Sequence, residues 1–326
     1  MLETTERAVR ERVTLHDLKP QLTDVREEVH AGLVSAPRRL SPKYFYDERG
    51  SELFEAITRL PEYYPTRTEM SILQQRLPEI CQLLGRETQL VEYGSGSSRK
   101  IRLLLDGLRP SVYMPIDISL DHLRDAALRL AEDYPSLEIH AVCADYSRPF
   151  VLPWRDPSLT VSAFFPGSSI GNFERGAAAL FLAHVHETLG VGSRLLVGVD
   201  RRKDAARLEA AYDDAEGVTA AFNRNALVHL RRVLGGDVEP ERFDHLAFYD
   251  ASAGRIEMHL VAREDQVFRL GNTEVVLEAG DRIHTENSYK YDPEEFEALA
   301  RGAGFETLRH WTDVEELFSV FVLETV

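Results

Sequence analysis

Glu92, Asp117 and Asp145 each close an apolar run, and the residues around them suit recognition of a nucleoside. The first run, Gln89-Leu-Val-Glu92, enters a two-glycine turn at Gly94 and Gly96 and passes through Arg99-Lys100 into a helical pattern. Glycines at such a turn let the backbone bend sharply and approach a ligand that a Cβ would hold off. A dinucleotide fingerprint would carry a third glycine where this chain has Arg99, so the turn favours an adenosyl cofactor without phosphates, S-adenosylmethionine. The second run, Val112 to Asp117, ends about twenty residues downstream on a carboxylate placed to accept both ribose hydroxyls. Leu137 to Ala144 leads to Asp145, suited to the adenine amino group, with Tyr146 beside it to pack on the ring.

These groups need strands that end together and helices that pack back on them. Ile101, Leu104, Leu105 and Leu108 recur at the spacing of one helix face, and Ser119 stands where a helix N-cap belongs. Strand and helix patterns alternate from about Pro61 to Asp200, with further strands at Leu159 to Phe165 and Ser193 to Asp200. That alternation predicts an α/β fold: a Rossmann-like sheet with helices on both faces and ligands at the carboxyl ends of its strands. The rhythm then changes. Lys203 to Asn225 reads as one long helix, Arg255 to Ala262 alternates as a strand, and Gln266 to Leu277 reads as a hairpin turning at Gly271-Asn272. From Pro293 a helix and two strands, Thr307 to Trp311 and Phe318 to Leu323, resume the first pattern. The expected division is a cofactor-binding domain at 61–202 plus 290–326 and a smaller α+β substrate-binding lobe at 1–60 plus 203–289, with the substrate in the cleft between them.

Composition narrows the function. The 326 residues carry a net charge of −16, which repels phosphate backbones and anionic lipid and so argues against nucleic-acid or membrane partners. No apolar run reaches the ~18 residues of a membrane span. The charged start, Met1-Leu-Glu-Thr-Thr-Glu-Arg7, has no signal core. Two cysteines, Cys81 and Cys143, make neither a disulfide framework nor a metal site, and the expectation is a cytoplasmic monomer acting on a small molecule without a metal.

Several collinear segments then carry a more specific signal: Lys43-Tyr-Phe-Tyr-Asp47 with Gly50-Ser51, Ile57 to Glu69, the Glu92 turn, Gly167-Ser-Ser-Ile-Gly-Asn172, Ala211 to Asn225, Arg255-Ile-Glu-Met258 and Thr285-Glu-Asn-Ser288. Through them the chain resembles the histidine-specific α-N-methyltransferases of ergothioneine biosynthesis, which use S-adenosylmethionine to convert histidine to its betaine, hercynine. The resemblance implies that Gly94, Lys100, Asp117, Asp145 and Tyr146 contact the cofactor, with Gly167 and Ser168 on the same floor. It implies substrate contacts at Tyr63, Asn172, Tyr212, Met258, Glu286 and Ser288, and places Tyr46 near the reacting amine. Asn172 and Tyr212 would donate to the α-carboxylate, Met258 would lie against the imidazole, and Glu286 and Ser288 would each serve one ring nitrogen. Tyr93, Tyr146 and Asn287 depart from the family's usual residues. An extra amide at Asn287, between the two ring-reading residues, could alter which amino acid fits.

The implied chemistry is direct methyl transfer to an amine that has lost its proton, with Tyr46 as an orienting or relay group and the faces of Tyr46 and Tyr63 tolerating the growing ammonium. Two alternatives remain at this point: an Nα-methyltransferase of another aromatic amino acid or derivative, and an NAD-linked oxidoreductase, which Arg99 disfavours.

Overall fold

The computed structural model describes residues 11–20, 24–86, 88–95 and 98–326. They form two compact units. The first holds the N-terminal strand, Thr68–Arg201 and Tyr291–Val326; the second holds residues 24–67 and Arg202–Lys290.

The first unit is built on an eight-stranded sheet. Its strands run, edge to edge, Val13–Asp17, Glu138–Cys143, Val112–Asp117, Thr88–Tyr93, Thr160–Phe165, Arg194–Asp200, Phe318–Thr325 and Phe305–Thr312. The first six are mutually parallel, and Phe318–Thr325 runs antiparallel to both of its neighbours. Strand order reverses at Thr88–Tyr93: the chain builds outward to one side first and to the other later, which opens a ligand crevice at that strand's carboxyl end. Every residue of Thr88–Tyr93 is buried, as a central parallel strand covered on both faces requires. Ile101, Leu104, Leu105 and Leu108 of the helix Ser98–Leu108 join one core cluster with Leu90, Tyr113 and Ile139, as their spacing predicts. This is the Rossmann-like sheet expected of the chain.

Two segments differ from the sequence reading. Val13–Asp17, expected in the substrate lobe, pairs in parallel with Glu138–Cys143 and extends the large sheet. Arg12 fixes it by donating to the Ala131 and Tyr134 carbonyls at 2.8 and 2.9 Å. Only Val13 and Leu15 alternate with polar residues in this five-residue edge strand, a pattern too short to assign it to the large sheet from sequence. At the other side, residues 61–67 fall with the second unit. The Arg67 guanidinium gathers the carbonyls of Leu60, Pro61 and Tyr63 at 3.1, 2.5 and 2.9 Å and folds that turn onto itself.

The second unit centres on a four-stranded sheet ordered Arg38–Arg39, Arg282–Tyr289, Arg255–Ala262 and Phe243–Asp250, with the hairpin Gln266–Leu270 and Thr273–Leu277 beside it. The hairpin pairs Leu270 with Thr273 around Gly271-Asn272, as its sequence predicts. The single helix expected over Lys203 to Asn225 is instead two, Ala205–Tyr212 and Val218–Leu234. Asp213-Asp-Ala-Glu216 contains no strong breaker, so the periodicity reads through it. The stop is made by the Asp214 carboxylate, which accepts from the Val218 and Thr219 amides at 2.8 and 2.7 Å, and by Gly217 at φ 70°.

Those amides hold the Asp214 carboxyl below its usual range. A depressed folded pKa contributes stability above the unfolded value of about 3.8 that is lost on acidification below it. Asp214→Ala should cost about 1–2 kcal/mol near pH 7 in chemical denaturation, as loss of a helix cap does, and the deficit should shrink as pH falls below about 4.

Candidate active site

At the crevice of the first unit, Gly94 has φ 76° and donates to the Ile116 carbonyl at 2.9 Å. A Cβ there would stand 3.4 Å from the Tyr146 hydroxyl, an ordinary contact, so it is the dihedral that calls for glycine. Gly96 lies outside the described residues. Asp117 ends the next strand, and its Oδ1 accepts from the Ser119 amide at 3.0 Å. Ser119 does occupy the N-cap position of Leu120–Asp133, but its side chain makes no cap bond. Asp145 Oδ1 accepts from the Ser147 amide and hydroxyl at 3.1 and 2.6 Å, which sets the carboxylate's orientation beside Tyr146. The Tyr146 ring packs edge-on against Tyr93, Phe165 and Phe181, with centroids 6.0, 6.3 and 6.0 Å away. Tyr93 and Tyr146, both departures from the family's usual residues, are thus neighbours in one aromatic cluster. A glycine cradle, carboxylates at two successive strand ends and an aromatic platform form a donor and acceptor set that fits an adenosyl group.

One group here escaped the spacing argument. Glu69 is fully buried on the helix Tyr64–Leu84, pairs with Lys100 Nζ, and accepts from the Gly167 amide at 3.0 and 2.9 Å. Its carboxyl fills the space where a side chain at residue 198 would begin, hence Gly198. Glu69 therefore joins Lys100 to Gly167, two residues expected at the cofactor. Ser168, expected on the same floor, is held at φ 59° with its hydroxyl accepting from the Asp200 amide at 2.8 Å, tying two strand ends together. Asn172 ends the short 3₁₀ turn Ser169–Asn172 and is exposed. Glu92 is buried and takes the Tyr113 hydroxyl; burial pushes its carboxyl up to about 8, against the opposing pull of that bond and of Lys100.

Of the expected substrate residues, the second unit carries Tyr63, Tyr212, Met258, Glu286 and Ser288, while Asn172 belongs to the first. Glu286 lies directly across from Met258 on the neighbouring strand, while His284 lies across from His259, because the register slips by one between them. This bulge at Thr285 reverses the alternation, so that Glu286 and Ser288 share a face with Met258. Asn223 pins the bulge: the one hydrogen of the Thr285 hydroxyl is shared between Asn223 Oδ1 at 2.8 Å and the Met258 carbonyl at 3.0 Å. The Asn223 amide also reaches the His259 carbonyl at 3.0 Å and His245 Nδ1 at 2.9 Å, and His245 Nε2 reaches the Tyr212 carbonyl at 2.8 Å. Burial lowers the His245 pKa, which suits a neutral ring that accepts at Nδ1 and donates at Nε2. One side chain, Asn223, thereby links the segments that carry Tyr212, Met258 and Glu286.

The Tyr212 and Ser288 hydroxyls are 2.7 Å apart. Lys290, which no motif singled out, is fully buried with Nζ 3.0 Å from the Tyr212 hydroxyl and 2.6 Å from that of Ser288. Glu286 is pushed up to about 7 by burial, partly offset by Lys290. Tyr63 packs edge-on to Tyr212 at 6.1 Å and to Phe54 at 6.3 Å; Tyr46, half exposed, packs on Phe54 and Phe222 at 5.8 and 5.5 Å. Tyr46 is aimed by its surroundings. Asp47 caps the following helix through the Gly50 amide and takes Asn225 Nδ2 at 2.7 Å, and Asn225 also donates to the Phe45 carbonyl. Gly50 cannot carry a Cβ because that carbonyl occupies its place.

Asn287 points to the opposite face of the strand. Its Oδ1 takes His284 Nε2 at 2.9 Å, so it does not stand between Glu286 and Ser288 as its place in the sequence suggested. On that opposite face Glu257, His259 and His284 bring potential metal ligands within 4.8 Å of one another. Arg255 holds one Glu257 oxygen and His259 Nε2 the other, while His284 Nε2 is taken by Asn287.

Residues 25–325 match the family model described as histidine-specific methyltransferase, SAM-dependent. The chain belongs to this family. It is 45% identical over 296 residues to a histidine N-alpha-methyltransferase of Mycolicibacterium smegmatis, covering 89% of this chain and 91% of that one. It is 42% identical, with the same coverage, to a histidine N-alpha-methyltransferase of Mycobacterium tuberculosis. Ergothioneine biosynthesis protein 1 of Neurospora crassa is 33% identical over 285 residues, which is 85% of this chain and 32% of that longer protein. Membership makes S-adenosylmethionine the methyl donor and removes the oxidoreductase alternative. No helix among the described residues is long and apolar enough to cross a membrane.

Two outcomes follow from the buried polar groups. Asn223→Leu removes the partner of His245 Nδ1 and one of the two acceptors of the Thr285 hydroxyl, and should cost about 1–3 kcal/mol; thermal unfolding reads the loss, and the KM for the amino acid should rise while cofactor affinity holds. Because Glu92 binds its proton more tightly folded than unfolded, it makes stability fall as pH rises from about 4.5 to about 8. Glu92→Gln should flatten that part of a Tm-against-pH curve, with its largest gain over the parent chain above pH 8.

Proposed function

We propose that this chain transfers the methyl group of S-adenosylmethionine three times to the α-amine of free L-histidine, yielding hercynine for ergothioneine biosynthesis, and that it works as a cytoplasmic monomer. The observation that carries the choice of substrate is the face shared by Glu286, Ser288 and Met258, with Tyr212 bonded to Ser288. A buried carboxylate and a hydroxyl two residues apart on one strand can each take one nitrogen of an imidazole, while the Met258 thioether gives the ring an apolar surface. A ring without those nitrogens would leave the buried Glu286 carboxyl without its partner and forgo the bond to Ser288.

The cofactor supplies an activated methyl on sulfur, and the rest of the chemistry falls to this chain's own groups. We assign Gly94, Lys100, Asp117, Asp145, Tyr146, Gly167 and Ser168 to the cofactor, with Glu69 positioning Lys100 and the Gly167 amide. Tyr212 and Asn172 are assigned as donors to the α-carboxylate. An ammonium has no lone pair, so the amine must shed a proton before each attack. The half-exposed Tyr46 hydroxyl can pass that proton to solvent without acting as a strong base. Positioning and desolvation then supply most of the rate. The run of rings from Tyr46 through Phe54 to Tyr63 and Tyr212 offers faces that accept a quaternary ammonium through the ring quadrupole.

Incubation with each of the twenty amino acids and S-adenosylmethionine, followed by mass spectrometry, should add three methyl groups to histidine alone. Glu286→Ala should lower kcat/KM for histidine by roughly 10-fold to 100-fold, the loss of a charged hydrogen bond, while cofactor affinity stays within about twofold. Methylation of a different aromatic amino acid in preference to histidine would overturn the assignment.

A further inference from the structure

The Tyr212 hydroxyl, the Ser288 hydroxyl and Lys290 Nζ form a closed triad in which each polar atom lies within 3.0 Å of the other two. Nζ is also 4.7 Å from the Tyr212 ring centroid, so the ammonium is held beside both the hydroxyl and the face of that residue. An ammonium has donors and no lone pair, so both oxygens must accept from it. The two hydroxyls between them own two hydrogens. One lies in the bond that joins them, and the other goes to an acceptor outside the triad.

That count couples the two hydroxyls. If Ser288 donates to Tyr212, the outward hydrogen belongs to Tyr212, and Ser288 has only a lone pair left to offer. If Tyr212 donates to Ser288, the roles exchange. Resting on the reading above, in which Tyr212 donates to the substrate carboxylate, the first arrangement holds. Ser288 is then an acceptor toward the ring. Glu286, the other ring-reading group, is at most a sharer of one proton near neutral pH.

We propose that Lys290 is a positioning and specificity-determining residue: by donating to both hydroxyls it takes one lone pair of each and holds the pair together, so that once the substrate carboxylate takes the Tyr212 hydrogen, Ser288 is presented to the ring as an N–H acceptor. Lys290 does not touch the reacting atoms. It acts through Tyr212 and Ser288, and its effect is to reject rings that bring a lone pair in place of an N–H to Ser288. Without Nζ the serine hydroxyl is released to turn and donate.

The test compares histidine with 4-thiazolylalanine, a ring of similar size that has an acceptor nitrogen and no N–H, on the full-length parent chain and on Lys290→Met, which keeps the length of the side chain without its donors. In the parent, kcat/KM for histidine should exceed that for thiazolylalanine by roughly 100-fold, as two unmatched polar groups imply. In Lys290→Met, KM for histidine should rise roughly tenfold with a smaller change in kcat, and the preference over thiazolylalanine should fall by about tenfold or more. A single cooperative thermal unfolding transition, together with unchanged S-adenosylhomocysteine affinity, reports that both units of the variant are folded. A purely structural role for Lys290 would lower both substrates alike and leave their ratio unchanged, which overturns the proposal. Should Lys290→Met fail to fold, Lys290→Leu takes its place: it too lacks donors, and an undiminished preference there overturns the proposal equally. If the parent chain methylates no histidine, the functional reading itself fails. If the parent methylates histidine and only the variant's ratio stays put, the assignment to Lys290 fails alone.

Discussion

The slip of one residue at Thr285 is the constraint on which the proposed amino-acid site depends. In a regular antiparallel strand Glu286 would share its face with His284. The bulge breaks that alternation and turns Glu286 and Ser288 toward Met258, leaving His284 and Asn287 with Glu257 and His259 on the other face. An extra residue in a ladder leaves polar groups in search of partners, and here Asn223 and the Met258 carbonyl take the Thr285 hydroxyl. Asn223 is buried and has donors and an acceptor in use at once, so any shift of the bulge would unpair several groups together. The bulge is held by a network that is costly to satisfy in part.

The same logic, buried charge matched from distant parts of the chain, organises the cofactor unit. Glu69 sits on a helix that is remote in sequence from Lys100 and Gly167, yet its carboxylate is shared between them. A carboxylate so buried would be expensive alone; with an ammonium and a backbone amide it becomes a fixed point from which a glycine-rich floor is hung. Glu92 solves the problem differently. It keeps its proton more readily than a free carboxyl, because it is buried, and takes a hydroxyl from the next strand.

Polar residues in the motif segments turn out to be mostly scaffolding for a few reading groups. Arg67 shapes the turn that carries Tyr63, Asp47 and Asn225 shape the one that carries Tyr46, and His245 anchors the carbonyl of Tyr212. This explains why such segments are longer and more specific than the handful of side chains that could touch a substrate. A hydroxyl or a ring is useful only within a few tenths of an ångström of its place, and the hydrogen bonds around it supply that accuracy.

By itself the sequence determined the elements whose periodicity is local: the buried central strand ending at Glu92, the helix built on Ile101, Leu104, Leu105 and Leu108, the hairpin at Gly271-Asn272, and the glycine at residue 94 that its dihedral demands. Hydrophobic spacing and turn chemistry are written within a few neighbouring residues, so they can be read without knowing what packs against them. Its motif segments also carried the family and the expected site residues. Only the tertiary structure decided which way those residues face. The break after Tyr212 comes from one aspartate's carboxylate, the edge strand Val13–Asp17 from a partner more than a hundred residues away, and the placement of Glu286 against Asn287 from a register slip that Asn223 holds from 62 residues off. Lys290 was silent in the sequence for the same reason. A lone lysine after a strand is ordinarily a solvated charge, and it becomes part of a site only because Tyr212, 78 residues earlier, folds its hydroxyl onto it.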